Sequence, residues 1–121
     1  MTEIQNSKQY DLEERTHKFA QDARLFVKKL FKTIGNIEDG KQAIRASGSV
    51  AANYIEANEA LSKKDFLMRI KICRKEAKES RLWLRLVDIG NNQELENERK
   101  RLAKESTELM NIFGSIIRKS E

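Results

Sequence analysis

Apolar residues recur at helical spacing along almost the whole chain. From about Lys8 to Ile34, Leu12, Phe19, Ala23, Phe26 and Leu30 follow one another at intervals of seven, four, three and four, which lays one apolar face along a helix. Gly35-Asn36 breaks that pattern, and a second helix is predicted from about Lys41 to Ala60. Ser62 reads as an N-cap, with Asp65 three residues on as a capping-box-like acid, and opens a third helix to about Ile89. Gly90-Asn91-Asn92 ends it with residue types that tolerate positive φ. The fourth helix, about Gln93 to Arg118, repeats the spacing with Leu95, Leu102, Leu109, Phe113 and Ile116. No strand-like alternation interrupts the series, and there is no proline anywhere to break a helix. Long helices with short connections predict an all-α fold, an antiparallel up-down-up-down four-helix bundle with more than two-thirds of its residues helical.

The second helix departs from ordinary amphipathicity. Ala43, Ile44, Ala46, Val50, Ala51, Tyr54, Ile55 and Ala57 surround most of its circumference, and Lys41, Arg45, Ser49, Asn53 and Glu56 leave only a narrow polar strip. A helix of a lone bundle buries one stripe, so the surplus points to a second partner surface, self-association being the simplest. The plain alternative is an alanine-rich helix, alanine being the best helix former.

Composition narrows the class. The 121 residues suit one domain, with residues 1–9 a polar, flexible N-terminus, and no apolar run approaches the length that spans a bilayer. That stretch also lacks the apolar centre of a secretory signal, so a cytoplasmic protein is expected. Cys73 and His17 are the only residues of their kind, too few for a disulfide or a zinc ligand set, and no cofactor is implied.

Charge is distributed unevenly, and this brings in a candidate surface. The net charge is +5, and the third helical segment alone carries nine cations against four acids, whereas the second is net acidic and the fourth neutral. At helical geometry Lys63, Lys64, Lys71, Arg74, Lys75, Lys78, Arg81 and Arg85 fall within an arc of about 120°. Such a ridge, about 42 Å long, is the expected footprint of a nucleic-acid-binding surface that reads phosphates. Phe66, Ile70, Cys73, Ala77 and Leu84 lie on its core side, and Met68, Ile72, Trp83 and Leu86 form a second apolar strip beyond the other edge. The competing reading is a merely solvated face, partly neutralised by Glu76, Glu79 and Asp88. Few aromatic residues interleave the cations, so backbone-directed, salt-sensitive contact is expected in place of base-specific stacking.

Arg45, Ser49, Asn53 and Glu56 recur at spacings of four, four and three along one side of the second helix. They are read as a structural polar strip, with Glu56 bonded to a cation or backbone amide and Asn53 fixing register. No second acid, metal set or activated nucleophile stands at a suggestive spacing, so no catalytic residue is assigned and an enzyme is not expected. Trp83 and Tyr54 are read as packing or interface anchors, and Cys73 as an unreactive filler.

The run RASGSVAANYIEA, Arg45 to Ala57, resembles the signature of the bacterial four-helix bundle proteins encoded within intervening sequences of large-subunit (23S) ribosomal RNA genes, where the usual form carries "ANxxEA" or "ANIAEG". The following SKKDFLMRIKICRKEAKESRLWLRL is similar to that family's "skkeF" helix start, and the resemblance runs from about Tyr10 to Ile117. Arg45, Ser49, Asn53 and Glu56 match in register with Ser62, Phe66, Glu76 and Trp83. A proline often found before the second helix is missing, and Ala57 replaces a glycine seen in many members. The resemblance implies an antiparallel four-helix bundle that assembles into a ring-like homopentamer. Relatives include the accessory variability proteins of diversity-generating retroelements, which bind nucleic acid and a reverse transcriptase.

The functional expectation is a basic oligomer, most simply a pentamer, acting as a scaffold or chaperone for RNA or an RNA–DNA hybrid. The alternative is a protein-interaction module that docks an acidic partner or a reverse transcriptase without touching nucleic acid. A membrane-surface role fits less well, because the cations flank a packed face.

Overall fold

The structure, a computed structural model, describes residues 2–121, with side chains described from residue 12 onward. Four helices make up the fold: α1 Thr2–Lys28, α2 Ile34–Asn58, α3 Lys63–Leu86 and α4 Gln93–Ser120. No strand forms among the described residues. The helix number matches the sequence pattern, whereas three boundaries differ. Helix α1 begins at Thr2, within the stretch expected to be a flexible N-terminus, and ends at Lys28, short of the expected Ile34. Helix α2 opens at Ile34, seven residues before the expected start, because Thr33 adopts extended backbone and its hydroxyl accepts from the Asn36 amide. That N-cap turns Gly35-Asn36 from a break into the first turn of a helix. Ser62 and Asn92 cap α3 and α4 in the same way, accepting from Asp65 and Leu95. Gly90 carries the positive φ that the connection between them requires.

Cross-helix bonds establish the direction of each pair. Arg15 of α1 reaches Glu105 and Glu108 of α4, Asp22 accepts from Arg101, and Lys29 reaches Glu98, so numbers that rise along α1 fall along α4. The same reversal links Arg45 to Glu76 and Asn53 to Arg69 across α2 and α3, and Lys71 to Glu121 and Arg81 to Thr107 across α3 and α4. Helix α1 packs on α2 and α4, and α3 on α2 and α4, while the diagonal pairs bring no backbones into close approach among the described residues. The arrangement is a four-cornered antiparallel bundle.

The core follows the apolar spacing. Phe19, Ala23 and Phe26 of α1, and Leu30 just beyond its end, are buried with Ala43, Val50 and Tyr54 of α2, Ile70, Ala77 and Leu84 of α3, and Leu102, Leu109 and Phe113 of α4. Tyr54 and Phe113 meet with ring centroids 6.2 Å apart at a tilted 41°, a favourable aromatic geometry. Small residues bring the backbones close. A Cβ built on Gly40 would come within 2.8 Å of a Val27 methyl, so α1 and α2 cross there only because α2 has no side chain at that point. Buried hydroxyls are satisfied within their own helices: Thr16, Ser47, Ser80 and Ser106 each donate to a carbonyl three or four residues back.

Asn36 is the polar residue that ties one end of the bundle together. It is only 4% exposed; its amide donates to the Phe31 and Asp88 carbonyls at 2.9 and 2.8 Å and its carbonyl accepts from the Asp88 amide at 2.8 Å. The turn between α1 and α2 is thereby bonded to the turn between α3 and α4. Substituting Asn36→Ala leaves those buried backbone groups unpaired and should cost about 2 to 3 kcal/mol of stability, read as a lower urea midpoint with unchanged m-value. An unchanged midpoint would show that water replaces the amide at no cost.

Candidate nucleic-acid interface

Helix α3 is oriented by its apolar face. Ile70, Cys73, Ala77 and Leu84 are fully buried, which turns the arc of cations outward. Lys63, Lys64, Lys71, Arg74, Lys75, Lys78 and Arg85 are all exposed. Arg81 lies at the edge of the arc; it is half-buried and its guanidinium donates to the Thr107 hydroxyl of α4 at 2.9 Å, so it also belongs to the packing of the bundle. Lys71 stands 3.7 Å from Glu121, and the other exposed members of the ridge have no ion pair among the described residues. Arg69, the ninth cation of the helix, points to α2 and donates to Asn53 at 3.0 Å.

The acids of α3 do not neutralise this ridge. Glu76 is 7% exposed and faces α2, where the Arg45 guanidinium reaches it at 3.2 Å and reaches Glu79 at 3.1 Å. The hydrogen bond to Glu76, reinforced by the charges of both carboxylates, raises the Arg45 pKa above its ordinary value. Asp88 lies beyond the helix and accepts from the Gly90 amide. Three acids of α4 are similarly committed on the far side: Glu105 and Glu108 bind Arg15, and Glu98 binds Lys29.

The polar strip of α2 is divided between two roles. Arg45 holds the α3 carboxylates, while Asn53 donates to the Ser49 carbonyl and hydroxyl and accepts from Arg69, so these three residues lock α2 against α3. Glu56 does not follow. It is exposed and has no bonded cation or amide among the described residues, because its side chain points to solvent, where hydration removes the need for a partner. Cys73 is fully buried against Val50, and burial pushes its thiol up to about 12, which leaves it unreactive.

Beyond the ridge, Met68 and Leu86 are exposed, Ile72 is half-buried, and Leu82 is exposed among the cations themselves. Trp83 is half-buried against the core, with its indole nitrogen buried and without a hydrogen-bond partner. The sequence reading missed Arg118, which α4 brings to the same side as the ridge across a groove of about 690 Å³ that also contains Lys71, Arg74, Lys75 and Lys78. Its only sequence signal is Gly114 four residues earlier, one helical turn away. No group of three or more His, Cys, Asp or Glu side chains converges to hold a metal among the described residues, and none of the helices is long and apolar enough to cross a membrane.

Removing the cation that holds Glu76 should expose the cost of its burial. Arg45→Ala is expected to lower stability by about 1 to 2 kcal/mol, the pair being only partly shielded from solvent. Replacing both Arg45 and Glu76 by Met should restore most of that loss in urea titrations. Equal destabilisation by the single and double changes would show that packing of the Arg45 stem, not charge compensation, matters there.

A model of the 23S rRNA-intervening sequence protein family matches residues 8–115. The fold is similar to the crystal structure of a protein of unknown function from the S23 ribosomal protein family of Bacteroides thetaiotaomicron, with a TM-score of 0.75 and 27% identity over 92% of this chain and 98% of that one. No curated protein matches the chain. With the four-helix architecture and a match across nearly its whole length, the chain belongs to the 23S rRNA-intervening sequence protein family.

Proposed function

We propose that this protein is a non-enzymatic, cytoplasmic nucleic-acid-binding oligomer, a scaffold or chaperone that holds RNA or an RNA–DNA hybrid through its phosphates. The observation that carries this reading is the sorting of charge on α3: its cations face solvent while Glu76 and Glu79 are drawn to Arg45 on the other side. A merely solvated helix surface gains nothing from such segregation, whereas a polyanion does. The family description ties its members to ribosomal RNA intervening sequences, which is consistent with an RNA context.

Assembly rests on α2. Ile37, Ile44 and Ala51 stand seven residues apart, with Ile55 one turn beyond Ala51, and Ile37 and Ile55 remain 44% and 53% exposed in the isolated chain. This spacing suits a helix packed against a second copy. Copies arranged in a ring, a pentamer as the family resemblance implies, would multiply the α3 ridge. A second reading, docking of an acidic protein or a reverse transcriptase, is supported by exposed Met68, Leu82 and Leu86 beside the cations, since protein interfaces favour such mixed surfaces.

Light scattering at micromolar protein should report an oligomer, and Ile37→Lys with Ile55→Lys should shift it to monomer with helicity retained. A monomeric parent protein removes the assembly model.

The ridge is tested with Lys64, Lys75, Lys78 and Arg85 changed together to Glu, all of them exposed, leaving Arg81 and its bond to α4 intact. Affinity for RNA and DNA of unrelated sequence should fall while circular dichroism is unchanged. Log affinity of the parent should decline with log salt by about 0.7 to 0.9 per phosphate neutralised, with a shallower slope for the variant. Equal slopes would place the surface elsewhere, and absence of binding at low salt would favour the protein-docking reading.

A further inference from the structure

Resting on the nucleic-acid reading above, we infer that the groove between α3 and the last turns of α4 seats one nucleotide of a single strand, with its phosphate held by Arg74 and Arg118 and its base against the apolar floor. Two guanidinium groups from different helices converge there. A Cβ built on buried Gly114 would lie 3.4 Å from the Arg118 guanidinium and 4.0 Å from the Arg74 Nε, so both side chains rest on the α4 backbone where the glycine leaves it bare. Neither arginine has an acidic partner within ion-pair distance among the described residues; Glu121, which also lines the groove, is paired with Lys71 at 3.7 Å. Like charges brought this close repel one another unless an anion lies between them. The planar forks of two arginines suit a phosphate better than a diffuse cloud of counterions.

The rest of the groove fits the remainder of a nucleotide. Its volume is about 690 Å³, within the range that encloses a small ligand, and Met110 and Ile117 supply an apolar floor beside Gly114. Lys75 and Lys78 line the same groove and continue along α3, in position to follow the phosphates on either side. A base paired in a duplex is held in its own stack and cannot enter, so the groove selects single strands. The floor thus adds a feature that the ridge alone does not have.

The experiment uses the full chain with a fluorescent, unstructured 20-nucleotide single strand and a 20-base-pair duplex, read by anisotropy at fixed salt. The parent should bind the single strand more tightly than the duplex. Arg118→Gln should weaken single-strand binding about tenfold, the loss of one charged hydrogen-bonding partner, and duplex binding by no more than about twofold. Arg74→Gln removes the other guanidinium at an exposed position and so should keep the fold. It should likewise reduce single-strand affinity more than duplex affinity. Equal losses on both probes for Arg118→Gln, or no selective loss for Arg74→Gln, overturn the groove and leave the ridge reading intact. Failure of the parent to bind either probe at low salt defeats both.

Discussion

The bond between Arg45 and Glu76 is the constraint from which the rest of the surface follows. A carboxylate only 7% exposed needs a cation or several donors, and α3 supplies neither on that side, so the partner has to come from α2. Once Arg45 occupies that place it also takes Glu79, at 3.1 Å, and both glutamates of α3 are spent on one seam. What remains on the outer arc of α3 is almost pure cation. The pair therefore stabilises one interface and, by removing negative charge from the opposite face, sets the electrostatic character of the other.

The same logic extends around the bundle. The seam between α1 and α4 is the least closely packed, and there the contact is made by side chains: Arg15 with Glu105 and Glu108, Lys29 with Glu98, and Arg101 with Asp22. Each exposed pair is worth little alone, although a shared guanidinium such as Arg15, whose pKa is raised chiefly by its bond to Glu105, makes a tighter unit. The seam between α2 and α3 adds close backbone approach to its Arg45 ion pairs, with small side chains buried on both helices, Ala43 and Ala46 on α2 and Cys73, Ala77 and Ser80 on α3. Backbones approach closely where residues are small, and long ion pairs bridge the wider gap. Both devices draw acids away from the side that carries Lys75, Lys78 and Arg118.

Much of this architecture is legible in the sequence because it depends on periodicity. Leu12 through Leu30, and Leu95 through Phe113, repeat at helical spacing, and burial follows that spacing closely. Ser62 marks the start of α3 because its chemistry is local, a hydroxyl and an amide three residues away. Thr33 uses the same chemistry, but Gly35-Asn36 two residues on is a stronger turn signal, and the tertiary role of Asn36, bonded to Asp88 across 52 residues of sequence, adds to the Thr33 cap in favouring the helical outcome. The ridge is visible for the same reason as the core, being the complement of an apolar face on one helix. The Arg74–Arg118 convergence is not, since its members are far apart in sequence and no pattern within either helix reports the neighbour. Glu56 fails in the other direction: its spacing with Arg45 and Asn53 suggests a shared role, but spacing alone does not decide whether a side chain turns toward a partner or toward water.

A helix that both closes a core and carries a row of cations is subject to two demands that usually conflict, since repulsion among its cations destabilises the fold that positions them. Here the conflict is eased by geometry. The cations project from a helix whose inner face is fully buried at Ile70, Cys73, Ala77 and Leu84, so that the hydrophobic contribution of α3 is collected on the side away from the charge. Arg81 shows the boundary between the two demands, charged like its neighbours yet bonded to Thr107 of the adjoining helix. A polyanion laid along the ridge would relieve the remaining repulsion, so that binding and folding reinforce each other and the bundle is more stable bound than free.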